Sequence, residues 1–157
     1  PNVGKSALIN RLLKRKVVES ARRAGVTKQL RWVRISDEIE LLDAPGVIPS
    51  RIKNEEDAIK LAICEDIGDA AYDNQRIVAS LIDFLMSLEV DSNGLVSASC
   101  LESRYGLNAD HNYTGEGYLH EVADRIHQGD VERTSRRILD DFRKGLLGQI
   151  PLELPPI

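Results

Sequence analysis

The chain opens on Pro1-Asn2-Val3-Gly4-Lys5-Ser6, which fits the last six positions of the phosphate-loop pattern Gly-x-x-x-x-Gly-Lys-[Ser/Thr]. The first glycine of that pattern would stand two residues before Pro1, so the sequence reads as a piece that begins inside a motif. Gly4 lets the backbone bend until successive N–H groups, from Asn2 and Val3 on to Ala7, face phosphate oxygens. Lys5 brings positive charge to the β/γ-phosphates, and the Ser6 hydroxyl is a ligand for Mg²⁺. Ala7-Leu8-Ile9-Asn10-Arg11-Leu12-Leu13 then has helical apolar spacing. The loop therefore feeds a helix N-terminus, whose partial positive charge favours an anion.

Bulk properties constrain less. With 157 residues, 42% hydrophobic and 29% charged, the chain is one ordinary globular unit or two small ones. No apolar run approaches the length of a membrane span. A net charge of −4 argues against a generally basic coat for nucleic acid and leaves room for local basic patches. Cys64 and Cys100 lack Cys-x-x-Cys spacing and read as buried thiols of a reducing compartment.

The pattern along the chain changes character near residue 52, from α/β to all-helical. Residues 19–27 are polar, basic and aperiodic, a loop. Leu30 to Ile35 alternates apolar and basic residues, and Ile39 to Leu42 follows a Ser36-Asp37-Glu38 turn, which predicts a two-stranded hairpin running into Asp43-Ala44-Pro45-Gly46. From Glu55 the period is helical through Ala58, Leu61, Ala62 and Ile67, and again from Ile77 to Met86. A linker at 91–99 precedes short helices at Cys100–Tyr105, Tyr118–His127 and Val131–Lys144, with Gly145 as a stop and a proline-rich tail.

Three elements recur in the order of a GTPase switch domain: the phosphate loop, Thr27 in a loop, and Asp43-x-x-Gly46 at a strand end, at intervals of 21 and 16 residues. Asp43 can hold Mg²⁺, the Gly46 N–H can reach a γ-phosphate, and Thr27 can close over the same metal when a third phosphate is present. Position 47 is Val, where many GTPases carry a glutamine that orients the attacking water, so hydrolysis must use another residue or a partner. Asn2 resembles the asparagine that coordinates K⁺ beside the phosphates in potassium-activated GTPases; shaping the loop is its alternative role. The guanine-reading Asn-Lys-x-Asp motif does not occur between Gly46 and Ile157. Ser97-Ala98-Ser99 looks superficially like a Ser-Ala base-contact loop and, without that motif, reads as linker.

Pro1 to Ser6, Arg23-Ala24-Gly25-Val26-Thr27, Trp32, Asp43-Ala44-Pro45-Gly46-Val47 and Lys60-Leu61-Ala62-Ile63-Cys64 together resemble the ribosome biogenesis GTPase A family, of the circularly permuted YlqF type. Gly129-Asp130-Val131 and Ile138 to Gly148 are similar to that family's closing helix, so the likeness spans essentially the whole chain. A hydrophobic residue at position 47 is also the family pattern. Ala24, in place of the usual Pro, is a minor departure. The resemblance implies an α/β fold: a partial, circularly permuted P-loop GTPase domain followed by an all-helical C-terminal domain. Residues 1–52 would form the C-terminal part of the GTPase domain, 53–90 its helical end and connection, and 91–157 an RNA-binding helical domain. It also implies that the base-reading motif precedes the phosphate loop, as does the hydrolytic residue, since none of His111, His120 or His127 matches the histidine proposed for the family.

Those histidines carry no metal pattern; His120 and His127 are seven residues apart, wider than zinc ligand spacing. Glu55-Glu56-Asp57 and Asp140-Asp141 read as solvated helix faces. Arg133, Arg136, Arg137 and Lys144 share one helix side, and the resemblance turns that side toward rRNA contact. The resulting expectation is a monomeric GTP hydrolase using Mg²⁺ and in addition K⁺, with the large ribosomal subunit and its rRNA as partners, no membrane partner, and a cytoplasmic or organellar location such as the plastid stroma. A potassium-activated GTPase of tRNA modification and a non-catalytic helical adaptor with a vestigial phosphate loop are the rival readings.

Overall fold

The computed structural model describes residues 4–18, 29–49, 51–68, 72–91, 98–109 and 112–153. The chain forms two compact units, and the division falls inside a helix: the first takes the residues up to Leu61 with Glu65–Gly68, the second takes Ala62–Cys64 and the residues from Asp69 on.

The first unit holds α1 (Lys5–Leu13), the antiparallel hairpin β1 (Arg31–Arg34) and β2 (Glu40–Asp43), and most of α2 (Glu55–Ile63). Helical spacing in α1 buries Ile9, which meets Val18 and Val33 in a small core with Leu13, Val17 and Leu41 around it. The hairpin register pairs Val33 with Leu41 and Arg31 with Asp43 on one face, and Trp32 with Leu42 and Arg34 with Glu40 on the other. The first face faces the core; Trp32 and Leu42 are exposed. The turn is closed by Ser36, whose Oγ accepts from the Glu38 and Ile39 N–H groups. Asn10 fastens the chain after α1: its Oδ1 accepts from the Val17 and Val18 N–H groups at 2.8 and 3.0 Å, and its Nδ2 donates to the Val18 carbonyl at 2.8 Å.

The second unit packs α3 (Asn74–Asp91), α5 (Gly115–His127) and α6 (Val131–Arg143) against one another, with the short α4 (Ser99–Tyr105) beside them. The apolar stripe of α3 (Ile77, Val78, Leu81, Ile82, Leu85) is buried, as are Tyr118, Leu119 and Val122 of α5 and Ile138 and Leu139 of α6. The tip of α2 joins this core, since Ala62 and Ile63 are fully buried. No helix among the described residues is long and apolar enough to cross a membrane.

Several expectations shift. The helical period expected through Ile67 stops at Ile63, because Glu65 turns left-handed (φ 63°) and the Asp66 N–H donates to the Leu61 carbonyl. Ala98 is the buried N-cap of α4 and Ser99 its first residue, so the linker reading of Ser97-Ala98-Ser99 fails there; Ser97 lies outside the described residues. Cys64 is exposed and Cys100 half-buried, where both were expected inside; Cys64 sits just past the turn that ends α2. The Asp140-Asp141 pair is a solvated face at Asp140 only. Asp141 is buried against Arg104, Tyr105 and Arg137.

Candidate functional site

At the phosphate loop, Gly4 holds φ 85°, a left-handed conformation that side-chain-bearing residues rarely adopt. It is the N-cap of α1 and offers no side chain to the helix start; no acidic residue occupies the first turn. Helix N-terminal N–H groups have no intrahelical acceptor, and a helix start without a side-chain cap suits an anion. Lys5 and Ser6 are half-buried there, and Ala7 is exposed. α1 packs against β2, whose last residue is the buried Asp43. Gly46 follows, exposed, and Val47 is 86% exposed. Asn2, Val3 and Thr27 lie outside the described residues.

A hydroxyl (Ser6) and a carboxylate (Asp43) are hard oxygen donors of the kind Mg²⁺ takes together with substrate phosphates. Among the described residues, no group of three His, Cys, Asp or Glu side chains could build an all-protein metal cage. The donors fit a metal that arrives with a phosphate chain.

The basic side of α6 is a second site. Asp130 caps the helix, accepting from the Arg133 N–H at 2.9 Å. Arg133, Arg136 and Arg137, with His127 and Asp140, line a concavity of about 370 Å³. The four predicted cations are unequal. Arg136 is paired with Glu132, Lys144 with Asp140, and Arg137 reaches the buried Asp141 at 3.4 Å. Arg133 has no acidic partner among the described residues. His127 is structural: Thr134 Oγ1 donates to the Asp130 carbonyl, so it accepts from His127 Nδ1 at 2.9 Å, which fixes the ring tautomer.

Sequence reasoning gave no role to Asn10 or to Arg104, and placed Arg143 only in the basic set of the last helix. Each acts through partners seven or more residues away, which no local pattern displays.

A family described as 50S ribosome-binding GTPase matches residues 1–99. Ribosome biogenesis GTPase A of Bacillus cereus is 29% identical over an alignment covering 99% of this chain and 51% of that protein. The protein of the same name from Priestia megaterium is 36% identical over 69% of this chain and 35% of its own length. Nucleolar GTP-binding protein 2 of Yarrowia lipolytica is 30% identical over 99% of this chain and 28% of its length. Among solved structures, the GDP-bound structure of TM YlqF superposes with a TM-score of 0.54 at 21% identity, covering 99% of this chain and 57% of that one, a likeness of fold. The chain thus spans between 28% and 51% of the length of these curated relatives.

Proposed function

This chain belongs to the 50S ribosome-binding GTPase family, and from that we propose that it is the phosphate-binding and switch portion of a circularly permuted GTPase that binds and hydrolyses GTP, docks on a maturing large ribosomal subunit, and leaves after hydrolysis. The observation that carries the reading is the uncapped start of α1, with Lys5 and Ser6, packed in one small unit against the strand that ends in buried Asp43. Lys5 and the first-turn N–H groups would bind the phosphates, and Ser6 and Asp43, with Thr27, would hold Mg²⁺. Mg²⁺, when bound, neutralises charge developing between the β- and γ-phosphates. Gly46 would read the third phosphate through its N–H.

Val47 carries no group that can orient water by a hydrogen bond, so the chemistry needs charge from elsewhere; K⁺ held at Asn2 would supply it. Arg133, Arg136, Arg137 and Lys144 would meet rRNA phosphates, in a monomer acting in the cytoplasm or an organelle. Lys5→Ala in the intact protein should abolish Mg²⁺-dependent GTP binding in titration calorimetry while the helical unit stays folded by circular dichroism. Unchanged affinity would refute the phosphate-loop assignment and favour an adaptor with a vestigial loop.

A further inference from the structure

We infer that the concavity between the end of α5 and the outer face of α6 selects RNA over DNA, its arginines holding a phosphate while His127 Nε2 accepts from the adjoining ribose 2′-hydroxyl; this rests on the rRNA reading of that helix. Positions 133, 136, 137 and 140 recur at helical spacing and share one face of α6. His127, the last residue of α5, lines the same concavity from the other side. A tight turn fixes its place. Gln128 and Gly129 are both left-handed, at φ 55° and 84°, and the Gly129 and Asp130 N–H groups donate to the Ala123 and His127 carbonyls at 3.0 and 3.1 Å.

The donors of the concavity are guanidinium groups. Arg136 and Arg137 engage their Nε atoms with Glu132 and Asp141 at 2.8 and 3.4 Å, so among the described residues their Nη donors stay available, as does the whole guanidinium of Arg133. Such forks match phosphate oxygens. Alone, they would take any polyanion.

His127 supplies the discrimination. Its Nδ1–H is engaged with Thr134 Oγ1 at 2.9 Å, because that hydroxyl donates its own proton to the Asp130 carbonyl at 2.7 Å. A neutral imidazole with its proton on Nδ1 carries a lone pair on Nε2, an acceptor with nothing to donate. Among the described residues no donor reaches Nε2. An ionised phosphate or carboxylate has no proton to offer it, and DNA has no hydroxyl at the 2′ position of its sugar. A ribonucleotide offers both halves at once: an anion for the arginines and, on the adjoining sugar, a 2′-hydroxyl donor. Asp140, the second acceptor in the lining, repels an acidic polypeptide.

The test is fluorescence anisotropy on the intact protein, at low salt and about pH 8, where histidine is neutral, with hairpins of one sequence made as RNA, DNA and 2′-O-methyl RNA. The parent should prefer RNA to DNA by about 3- to 10-fold, the range of one net hydrogen bond. The 2′-O-methyl hairpin keeps the RNA helix shape but has no sugar donor, and should bind like DNA. His127→Asn replaces the Nδ1 edge of the ring and removes Nε2; it should bring RNA down to the DNA affinity and leave DNA unchanged, whereas a purely structural role would weaken both alike. His127→Gln, whose amide oxygen reaches the Nε2 position, should keep part of the preference. Arg133→Glu should weaken both polymers, which places them on this face. Equal binding of RNA and DNA by the parent, 2′-O-methyl RNA bound as tightly as RNA, or a preference that survives His127→Asn or ignores Arg133→Glu overturns the inference and leaves rRNA binding standing. Binding of neither polymer overturns both, and polyglutamate held in their place would mark a surface for acidic protein. If His127→Asn fails to fold, the 2′-O-methyl hairpin on the parent still decides.

Discussion

At the scale of single residues, the most consequential side chain outside the phosphate loop is Asp141. Its carboxylate accepts from Arg104 Nε and Nη2 at 2.9 and 3.0 Å, from the Tyr105 hydroxyl at 3.1 Å, and from Arg137 Nε at 3.4 Å. Burial alone would raise its pKa, but the hydrogen bonds from Arg104 and Tyr105 and the neighbouring cationic charge win and hold it below the ordinary carboxylate range. The same burial and the adjacent carboxylate push the Tyr105 phenol far up. A folded pKa below the unfolded one means that the unfolded chain binds the extra proton, so Asp141 stabilises the fold fully above about pH 4 and loses that contribution as pH falls through the lower folded value. Denaturant melts between about pH 5 and 2 should show this loss in the parent and a flatter profile in Asp141→Asn, which should also lower stability at neutral pH by weakening the hydrogen bonds from Arg104 and Tyr105. The sequence showed Asp140-Asp141 only as an acidic doublet; which of the two turns inward depends on Arg104, 37 residues away.

At the scale of elements, α5 is the helix whose beginning the sequence concealed. Helical periodicity first becomes visible at Tyr118, yet the helix starts at Gly115, because two glycines of poor propensity occupy its first turn and Thr114 caps it, accepting from the Gly117 N–H at 3.1 Å. Gly115 is there for proximity. A Cβ at that position would lie 1.9 Å from the Ala79 carbonyl oxygen of α3, and the Gly115 N–H donates to Asp83 at 2.7 Å. Gly115→Ala should therefore cost about 3 kcal/mol by forcing α3 and α5 apart, whereas Gly117→Ala, whose nearest neighbour is the Thr114 hydroxyl at 3.3 Å, should change stability by less than about 1 kcal/mol. Thermal melts of the two variants side by side check the contrast. The hairpin, α3 and α6 were legible because their burial follows periods of 2 and 3.6 residues; close helix approach leaves no such period.

At the scale of the whole molecule, the phosphate-loop and Asp43-x-x-Gly46 patterns stand out in the sequence because each lies in consecutive residues, while the pairing that ranks the α6 cations does not. Since Arg137 is committed to Asp141 and Arg136 to Glu132, Arg133→Glu should weaken large-subunit association more than Arg137→Glu does. Each lost phosphate contact should lower the slope of log affinity against log salt by about 0.7 to 0.9; sedimentation across a salt series reads both effects, and equal losses would reject the ranking. Residues 1–157 alone should bind nucleoside triphosphates weakly and without preference for GTP over ATP, because Lys5, Ser6, Asp43 and Gly46 address groups that both share; a competition assay decides. Hydrolysis by the intact protein should run faster in K⁺ than in Na⁺ at equal ionic strength, with Asn2→Ala erasing the difference. Trp32, on the outward face of the hairpin and 66% exposed, is the sole tryptophan of the chain. Its indole is thereby a built-in optical reporter: red-shifted and readily quenched by iodide while water reaches it, it will turn bluer and more resistant to quenching the moment anything covers that face.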